Sequence, residues 1–505
     1  MVPRTVAQST ARVPRRRKGP GARTPCGRIR RAGPPPPLPS RSPLPWRGRS
    51  DRTPVSTSSR PTLFALPGLG LDGRAFDALG RELADVADLV ALDLPGGSGT
   101  SLEEMTAATI RRIREHGSSR WLLLGHSMGG KIASLVASRT VTGRSGLFGL
   151  AGVVLLAGSP LSPEPMEEER RSTMLGWVDD GHLDEAQARE FVDQNVGSPL
   201  PADADAEVLA ELRRYSPEGW RDWLEHGSRE DRTGEAALGA VPALLIAGGE
   251  DGDLGADAQR RLNGSLYSRA RLLTLAGAGH LLPFERPVEV AAAIRRFWEE
   301  EAGTAPSVPA DVGAAIASAR TSTRVRGLLA VRALADDPEY APRALTVAQL
   351  AELRAIADRV VPQEGGRIDL AARVDTQLAN GEGDGWRNAD LPADPIAYGL
   401  ALDTLRGFAG LGPAEQDARL TAIADGSAEL GDRSAGGLGA EQLTAWFEDC
   451  RVDLVKQWLA HPASMARIGY DGYASGGDTL PLVTGFRLLG ADDRETWEPT
   501  TRSHR

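Results

Sequence analysis

Ser127 lies in the pentapeptide Gly125-His126-Ser127-Met128-Gly129, between an apolar run and a stretch with a helical pattern. A G-x-S-x-G at such a junction predicts a sharp strand-to-helix turn that holds the serine hydroxyl clear of the backbone. Glycine suits both ends of this turn because strand and helix approach closely there and a side chain would collide. The same pentapeptide also occurs in ordinary glycine-rich turns, so the prediction needs support from elsewhere in the chain.

Two backbone amides are candidates for stabilising a negatively charged oxygen near Ser127. Met128 begins the predicted helix, so its amide has no partner within that helix and can donate. Upstream, an apolar strand over residues 62–66 runs into a Pro-Gly-Leu-Gly turn at residues 67–70. We assign the second donor of this oxyanion hole to the backbone amide of Leu69.

A base and an acid for the serine are predicted further along the chain, each in the loop after an apolar strand. His280 is the expected base and Asp251 the expected acid, with Glu250 and Asp253 as alternatives for the acid. A serine hydroxyl is a weak nucleophile until an imidazole accepts its proton, and an ionised carboxylate holds that imidazole in the right tautomer. Ser127, Asp251 and His280 therefore predict nucleophilic catalysis.

Residues 61 to about 302 resemble an α/β-hydrolase fold domain of the lid-bearing lipase, esterase and lactonase kind. The motifs that carry the resemblance are Pro67-Gly68-Leu69-Gly70, Gly125-His126-Ser127-Met128-Gly129-Gly130, Gly248-Gly249-Glu250-Asp251 and Gly279-His280. The serine, the acid and the histidine also follow one another in the order of that family. The resemblance implies the α/β class, a mostly parallel sheet flanked by helices, a serine hydrolase mechanism and no cofactor.

Residues 161–240 separate two predicted strands and carry helical patterning, which predicts a helical lid over Ser127. They contain 20 acidic and 8 basic side chains. Such an excess of negative charge tends to repel a strongly anionic substrate. We therefore expect a neutral ester, lactone or amide as the substrate.

Other polar residues near these motifs have simpler interpretations. His126 and Met128 are expected to pack in the wall of the pocket, and Lys131 is expected to point to solvent. The remaining histidines and the two cysteines show no spacing typical of metal ligands. No metal and no cofactor are therefore predicted.

Residues 1–60 differ in composition from the rest of the chain. They contain 12 prolines and carry a net charge of +14, whereas the remaining residues carry −23. With few large apolar side chains, this arm cannot offset its ordering entropy by burial, so we predict that it is disordered. Its basic runs would suit a nucleic-acid tether, but the arginine bias of the whole chain favours a start site placed too early. A nucleic-acid partner is not expected.

Two further absences bear on location. No stretch approaches the roughly 18 apolar residues of a membrane span. No apolar segment of about 7–15 residues follows the arginines of the arm, as an export signal requires. We therefore expect no membrane span and a cytoplasmic location.

The last third of the chain is predicted to be helical. Residues 303–342 are rich in alanine, proline and serine and favour a linker, residues 343–490 a helical domain, and residues 491–505 a tail. A capping box at Thr346 opens the first helix of that domain. Cys450 lies on the apolar face of a later helix and is expected in its core.

This domain resembles subunit 3 of gluconate 2-dehydrogenase over about residues 343–480. The motifs are Leu345-Thr346 to Pro362, Phe447-Glu448-Asp449-Cys450-Arg451, and His461-Pro462 leading to Gly469-Tyr470-Asp471-Gly472-Tyr473. In that family the small subunit accompanies a flavin-bearing dehydrogenase subunit. The resemblance implies a helical module that binds a flavin-dependent oxidoreductase, and it carries no catalytic residue over to this chain.

These observations predict a serine hydrolase that cleaves a neutral carboxylic ester, lactone or amide through an acyl-enzyme on Ser127. The alternative is a non-catalytic accessory subunit, with the same fold, of a flavin-dependent dehydrogenase complex. The presence of a nucleophile, an acid, a base and an oxyanion loop favours the enzyme, because a non-catalytic relative needs to keep only the fold.

Overall fold

The computed structural model describes most of the chain from residue 60 onward. The described residues are 60–94, 100–364, 366–383, 388–428, 437–475, 477–478, 488 and 493–496. The expected disorder of the arm falls on residues outside this set, as does most of the tail at residues 491–505.

Six parallel strands form the sheet of the described part. They are β1 (Thr62–Leu66), β2 (Asp88–Ala91), β3 (Trp121–His126), β4 (Leu150–Leu156), β5 (Ala243–Gly248) and β6 (Ala270–Leu275). Their order across the sheet is β2-β1-β3-β4-β5-β6, and every neighbouring pair is parallel. The central strands β1, β3, β4 and β5 are buried on both faces, which explains why they are nearly continuous apolar runs. The expected α/β class and parallel sheet are confirmed.

Helices cover both faces of this sheet. From the first strand to residue 297 they are α1 (Asp77–Leu83), α2 (Leu102–His116), α3 (Met128–Val141), α4 (Glu168–Gly176), α5 (Glu185–Asn195), α6 (Ala202–Arg214), α7 (Pro217–Asp222), α8 (Ala256–Ala258), α9 (Leu282–Glu285) and α10 (Pro287–Phe297). Short 3-10 or π turns lie at Gly73–Phe76, Trp223–Gly227, Thr233–Glu235, Gln259–Asn263 and Trp298–Ala302. Leu123 packs with the α3 side, whereas Leu122 and Leu124 pack with α1 and α10. This alternation follows from the period of two along a strand.

The order in which the chain adds strands to the sheet reverses next to β1. From β1 the chain passes to β2 on one side and then to β3 on the other, with Leu66 paired to Gly125 at the carboxyl ends. In open α/β sheets, ligands bind in the crevice at such a switch point. The turn after β1 and Ser127 after β3 meet at this crevice.

The four helices α4 to α7 lie between β4 and β5 and form the lid. Their apolar side chains, including Phe191 and Trp220, belong to the same core cluster as the α3 face of the sheet. The indole of Trp220 donates to the carbonyl of Met174 at 2.8 Å. The lid is therefore packed on the sheet domain and shares its core.

Residues 303–342 differ from the expected linker, because they contain two packed helices. These are α11 (Ala310–Ala317) and α12 (Thr323–Arg332). Val312, Ile316 and Leu329 are buried in one small core with Phe148, which precedes β4. The alanine-rich composition predicts a linker because the segment has too few apolar residues to form a core of its own. In the structure these residues pack against Phe148, which lies in another part of the chain.

The remaining helices form a bundle with its own core. They are α13 (Val347–Val360), α14 (Leu370–Asn380), α15 (Asp394–Thr404), α16 (Pro413–Ala424), α17 (Ala440–Leu459) and α18 (Pro462–Arg467), with a 3-10 turn at Phe408–Gly410. The predicted capping box at Thr346 is present, and Cys450 is buried in the bundle core. No helix in the described part of the chain is long and apolar enough to cross a membrane.

The close approach of α12 to the end of α3 can be tested by a substitution at Gly327. A Cβ at Gly327 would lie 2.7 Å from the carbonyl carbon of Thr142. Gly327→Val should therefore lower the free energy of unfolding by about 1–3 kcal/mol, since overpacking strains the backbone. The measurement is urea unfolding followed by tryptophan fluorescence.

The matched control for this substitution is Leu328→Val, at a neighbouring side chain that is 47% exposed. It should change the free energy of unfolding by no more than about 0.5 kcal/mol. Equal stability of the Gly327→Val variant and the wild type would show that α12 is not held against α3.

Candidate active site

Ser127 connects β3 to α3 with a backbone conformation that residues other than glycine rarely adopt. Its φ is 49° and its ψ is −120°, and such strain costs about 1–3 kcal/mol unless the surroundings enforce it. The Ser127 amide donates to the carbonyl of Leu156 at 3.0 Å, and the Ser159 amide donates to the Ser127 carbonyl at 2.9 Å. The turn is therefore held by β4 and by the loop that follows β4.

Glycine is required around Ser127 because backbone atoms occupy the space of a side chain. A Cβ at Gly125 would lie 2.5 Å from the carbonyl oxygen of Gly129. A Cβ at Gly129 would lie 2.7 Å from the carbonyl carbon of Leu66. These distances confirm the close approach of strand and helix that the pentapeptide predicts.

Asp251 and His280 form a hydrogen-bonded pair near the carboxyl ends of β5 and β6. Asp251 Oδ2 and His280 Nδ1 are 2.7 Å apart. Asp251 Oδ1 accepts from the amides of Asp253 at 3.1 Å and Leu254 at 3.0 Å. Both carboxylate oxygens are thus fixed, and the imidazole is oriented through its Nδ1.

The pair shifts the two pKa values in opposite directions. Burial disfavours the ionised carboxyl of Asp251, but the charge and hydrogen bond of His280 outweigh it and lower its pKa to about 2. Burial also disfavours a charged imidazole, yet the Asp251 carboxylate outweighs it and raises the pKa of His280. Asp251 therefore stays ionised at neutral pH and stabilises a protonated His280.

The alternative acids do not contact the imidazole. The Glu250 side chain is exposed to solvent. Asp253 forms an ion pair with Arg170 of the lid. Of the three carboxylates considered from sequence, Asp251 is the one that the structure brings to His280.

The turn after β1 lies against Ser127. A Cβ at Gly68 would be 3.0 Å from the Cβ of Ser127, and Gly70 adopts a φ of 83°. Neither the Leu69 amide nor the Met128 amide donates a hydrogen bond within the described residues. Both amides are thus available to an oxygen bound beside Ser127.

The lid fixes the loop that carries His280. The amides of His280 and Leu281 donate to the carbonyl of Asn195, at the end of α5, at distances of 2.7 and 3.1 Å. The amide of Gly279 donates to the Glu285 carboxylate at 2.9 Å. A Cβ at Gly279 would lie 2.6 Å from the Asn195 oxygen, so this contact also requires glycine.

His126 is buried in the pocket wall, as expected, and supports His280 from the other side. Its Nε2 is 2.9 Å from the carbonyl oxygen of His280 and donates to it. Burial, reinforced by the nearby charge of His280, lowers the pKa of His126 to about 3. His126 is therefore a neutral hydrogen-bond donor that helps to position the His280 loop.

Lys131 does not point to solvent, and that expectation is wrong. Its side chain is fully buried, and its Nζ donates to the carbonyls of Gly227 at 3.0 Å and Glu230 at 2.7 Å. Burial is the main reason that its pKa falls to about 8. Because Gly227 and Glu230 close the lid segment, Lys131 ties that end of the lid to α3.

Glu164 is a site residue that the sequence analysis missed. It lines the same cavity as Ser127 and His280, and its Oε1 accepts a hydrogen bond from the hydroxyl of Ser159. Burial raises its pKa, although the charges of Lys131 and His280 act in the opposite direction. No local motif marks Glu164: its hydrogen-bond partner Ser159 lies only five residues upstream, but Ser127 and His280, which line the same cavity, lie on other segments.

Ser127, Asp251 and His280 line one cavity that is partly open to solvent. Most of its wall is apolar and consists of Leu69, Leu71, Met166, Met174, Phe191, Trp223, Leu254 and Leu281. Its polar groups besides the three residues above include Glu164, Arg170, Asn195 and Asp253. Such a cavity suits a small, largely apolar molecule with a reactive polar group. Among the described residues, no group of three His, Cys, Asp or Glu side chains is arranged to hold a metal.

Comparison with known proteins identifies a family over the part of the chain that builds this site. Residues 63–293 match the family model described as "Alpha/beta hydrolase family". These residues include all of β1 except Thr62, β2 to β6, the lid and most of α10.

Curated relatives align over a comparable part of the chain. The biotin biosynthesis bifunctional protein BioHC of Cellvibrio japonicus is 24% identical over 250 residues, which are 48% of each chain. The 2-succinyl-6-hydroxy-2,4-cyclohexadiene-1-carboxylate synthase of Escherichia coli is 28% identical over 160 residues, which are 30% of this chain and 60% of that protein. The chain thus spans about half to three fifths of the length of these relatives.

Solved structures of similar proteins include an esterase from Exiguobacterium antarcticum. It is 15% identical, aligns with 48% of this chain and 93% of its own, and has a TM-score of 0.42. An esterase from Thermogutta terrifontis is 22% identical over 48% of this chain and 90% of its own, with a TM-score of 0.39.

The contact between Gly129 and Leu66 predicts that the turn at Ser127 tolerates no side chain. Gly129→Ala should lower the free energy of unfolding by at least about 3 kcal/mol, because its Cβ collides with backbone and not with a movable side chain. Thermal unfolding followed by circular dichroism measures the loss.

Gly176→Ala is the matched control, since Gly176 ends α4 with no atom within 4 Å of an added Cβ. It should leave stability unchanged or raise it by up to about 1 kcal/mol. A Gly129→Ala variant as stable as this control would contradict the close approach of β3, α3 and β1.

Proposed function

Because the chain carries an Alpha/beta hydrolase family domain over residues 63–293, we propose that it is a serine hydrolase acting through an acyl-enzyme on Ser127. The observation that carries the proposal is the 2.7 Å contact of His280 with Asp251 in the cavity that Ser127 lines. The substrate class is a carboxylic ester, lactone or amide.

In the first half of the reaction, His280 accepts the proton of the Ser127 hydroxyl while the serine oxygen attacks the carbonyl carbon of the substrate. The carbonyl oxygen becomes an oxyanion, to which the amides of Leu69 and Met128 donate. His280 then gives its proton to the leaving alcohol or amine, and the acyl group remains on Ser127. Asp251 stays ionised throughout and stabilises the imidazolium.

In the second half, water replaces the leaving group. His280 accepts a proton from the water as it attacks the acyl carbon, and the same two amides bind the second oxyanion. The bond to Ser127 then breaks, the serine oxygen takes the proton back from His280, and the carboxylic acid leaves.

The cavity favours a neutral and mainly apolar substrate. Its wall is largely hydrocarbon, and the charge of Arg170 is matched by Asp253. A further carboxyl, Glu164, lines the cavity, and its ionised form would repel an anionic group close to Ser127. The names of the two curated relatives state different reactions. They therefore do not indicate whether the substrate is an ester, a lactone or an amide.

The interpretation of the helical domain as a partner-binding module stays a prediction. The family match ends at residue 293, and the resemblance of residues 343–480 to subunit 3 of gluconate 2-dehydrogenase lies beyond it. A flavin-dependent oxidoreductase partner, a role as its non-catalytic accessory subunit, and a cytoplasmic location likewise stay predictions.

The proposal is tested by covalent labelling of the full chain with a fluorophosphonate probe. Wild-type protein should be labelled on Ser127, as read by peptide mass spectrometry, because the probe needs an activated serine. Ser127→Ala and His280→Ala should abolish labelling, since one removes the nucleophile and the other its base.

Ser172→Ala is the matched control for labelling, because Ser172 is an exposed serine of α4. This variant should be labelled like the wild type. A folded wild-type protein that takes up no label would overturn the proposal and leave the accessory subunit as the better interpretation.

The Asp251 contact also predicts a pH dependence. His280 must be neutral to accept a proton, so kcat/KM should rise with pH through the pKa of His280, which lies above its ordinary value of 6.5. Asp251→Asn removes the charge that raises this pKa, so the rise should move to lower pH. The substitution should also reduce kcat by about 10⁴-fold, as expected when a serine triad loses its acid.

Hydrolysis of p-nitrophenyl esters between pH 4 and 9 measures both effects. Glu250→Gln, the neighbouring exposed carboxyl, should leave the rate and the pH profile unchanged. A larger loss for Glu250→Gln than for Asp251→Asn would mean that the acid has been wrongly identified.

A further inference from the structure

Glu164 places a carboxyl group in the wall of the cavity that Ser127 lines, and the proposed acyl-enzyme reaction does not use it. Glu164 lies between β4 and the first lid helix, with Pro163 before it and Pro165 after it. A proline fixes its own φ and restricts the preceding residue to extended backbone, so the two prolines limit the conformations of this segment. The amide of Glu164 also donates to the carbonyl of Ser228 at 2.8 Å. The backbone that carries the carboxyl is therefore fixed.

The two oxygens of the Glu164 carboxyl differ in their contacts. Oε1 accepts a hydrogen bond from the hydroxyl of Ser159, and the amide of Ser159 donates to the carbonyl of Ser127 at 2.9 Å. Oε2 has no hydrogen-bond partner within the described residues, and it is not among the unpartnered polar atoms that are sealed from solvent. Because Glu164 lines the cavity, Oε2 is the oxygen that a bound substrate can reach.

The cations near Glu164 are engaged elsewhere. Arg170, the arginine of the cavity wall, is paired with Asp253, and the Nζ of Lys131 donates to two backbone carbonyls. A substrate that fills a mostly apolar cavity removes water from Oε2, and this loss is costly unless the substrate supplies a hydrogen bond in return. A substrate with a polar group at this position is therefore favoured over one with hydrocarbon there.

A hydroxyl group can bond to Oε2 in either protonation state of Glu164. Burial raises the pKa of the Glu164 carboxyl, whereas the hydrogen bond from Ser159 opposes this shift. A protonated carboxyl donates through one oxygen, and an ionised carboxylate only accepts. A hydroxyl both donates and accepts, so it satisfies Oε2 in both states.

The charges around Glu164 favour a neutral group over a charged one. The positive charges of Lys131, His280 and Arg171 all act on the Glu164 carboxyl. They would repel an ammonium group bound to Oε2, and His280 becomes positively charged during the proposed reaction. Ionised Glu164 would itself repel a carboxylate of the substrate. A hydroxyl group avoids both kinds of repulsion.

We propose that Glu164 is a specificity-determining residue whose Oε2 forms a hydrogen bond with a hydroxyl group of the substrate. The preferred substrates are hydroxyl-bearing esters, lactones or amides, with their hydrocarbon part along the apolar wall of the cavity. This inference rests on the proposed hydrolysis at Ser127 and names the substrate class for that same site.

Paired esters that differ by a hydroxyl in place of a methyl group test the proposal with the full chain. One pair is p-nitrophenyl 3-hydroxybutyrate and p-nitrophenyl 3-methylbutyrate, and the other is 2-hydroxyethyl butyrate and propyl butyrate. Wild-type protein should hydrolyse the hydroxylated member of at least one pair with a kcat/KM at least about tenfold higher, because the methyl analogue leaves Oε2 unpaired. Titration of the released acid measures both pairs.

Variants at Glu164 separate this role from a structural one. Glu164→Leu should reduce the ratio of the two kcat/KM values to about 1, because it removes both oxygens. Glu164→Gln should keep most of the preference, since the amide can accept from Ser159 and donate to the hydroxyl of the substrate. A general loss of active protein lowers both rates equally and leaves the ratio unchanged.

Glu167→Leu is the matched control for these variants. Glu167 is an exposed carboxyl three residues further along the chain and does not line the cavity. This variant should keep the ratio of the wild type. An equal fall of the ratio in Glu167→Leu and Glu164→Leu would contradict a hydrogen bond from Glu164 to the substrate.

Fluorophosphonate labelling of Ser127 distinguishes failure of this inference from failure of the proposed hydrolysis. Labelled wild-type protein that prefers neither hydroxylated ester, or a preference that survives Glu164→Leu, would overturn the role of Glu164 alone. A higher kcat/KM for p-nitrophenyl 3-aminobutyrate than for both hydroxylated esters would overturn it too, because Oε2 would then serve a cation. Absence of labelling in folded wild-type protein would overturn both proposals.

Discussion

The close approach of β1, β3 and α3 at Ser127 is the constraint on which the candidate site depends. Gly125 and Gly129 have no space for a side chain, and Ser127 itself takes a positive φ. The strain is tolerated because β4 and the loop after it hold both backbone groups of Ser127. The same approach brings the turn at Leu69 next to the start of α3. One packing contact therefore sets the serine and both candidate oxyanion donors together.

The lid is part of this constraint, because it is fixed to the site at two points. At one end the Asn195 carbonyl accepts from the backbone of His280, and at the other Lys131 donates to the carbonyls of Gly227 and Glu230. Movement of either end would disturb the position of the imidazole or leave a buried ammonium without acceptors. Hydrogen bonds therefore link the lid to the His280 loop and to α3. Entry of a substrate through the existing opening would leave these bonds intact, whereas movement of the whole lid would break them.

Local patterns in the sequence predicted the parts of the site that follow strands. Ser127, Asp251 and His280 each lie just beyond an apolar run, and their order along the chain added independent support. Lys131 was misjudged because its acceptors lie 96 and 99 residues further along the chain. Glu164 was missed because Ser127 and His280, which line the same cavity, lie on distant segments of the chain. Contacts between distant segments leave no periodicity in the sequence, and the two helices within residues 303–342 escaped prediction because their core includes Phe148.

Two histidines in the candidate site have opposite protonation preferences, although their ring centroids are 5.3 Å apart. Burial lowers the pKa of His126 to about 3, whereas Asp251 raises that of His280. Titratable neighbours whose surroundings push their pKa values apart commonly divide an acid and a base role. Here His126 is a neutral donor that holds the His280 carbonyl through Nε2, whereas His280 is the imidazole whose protonated form Asp251 stabilises. A second protonated imidazole so close would repel the first, so the neutrality of His126 is itself a condition for a charged His280.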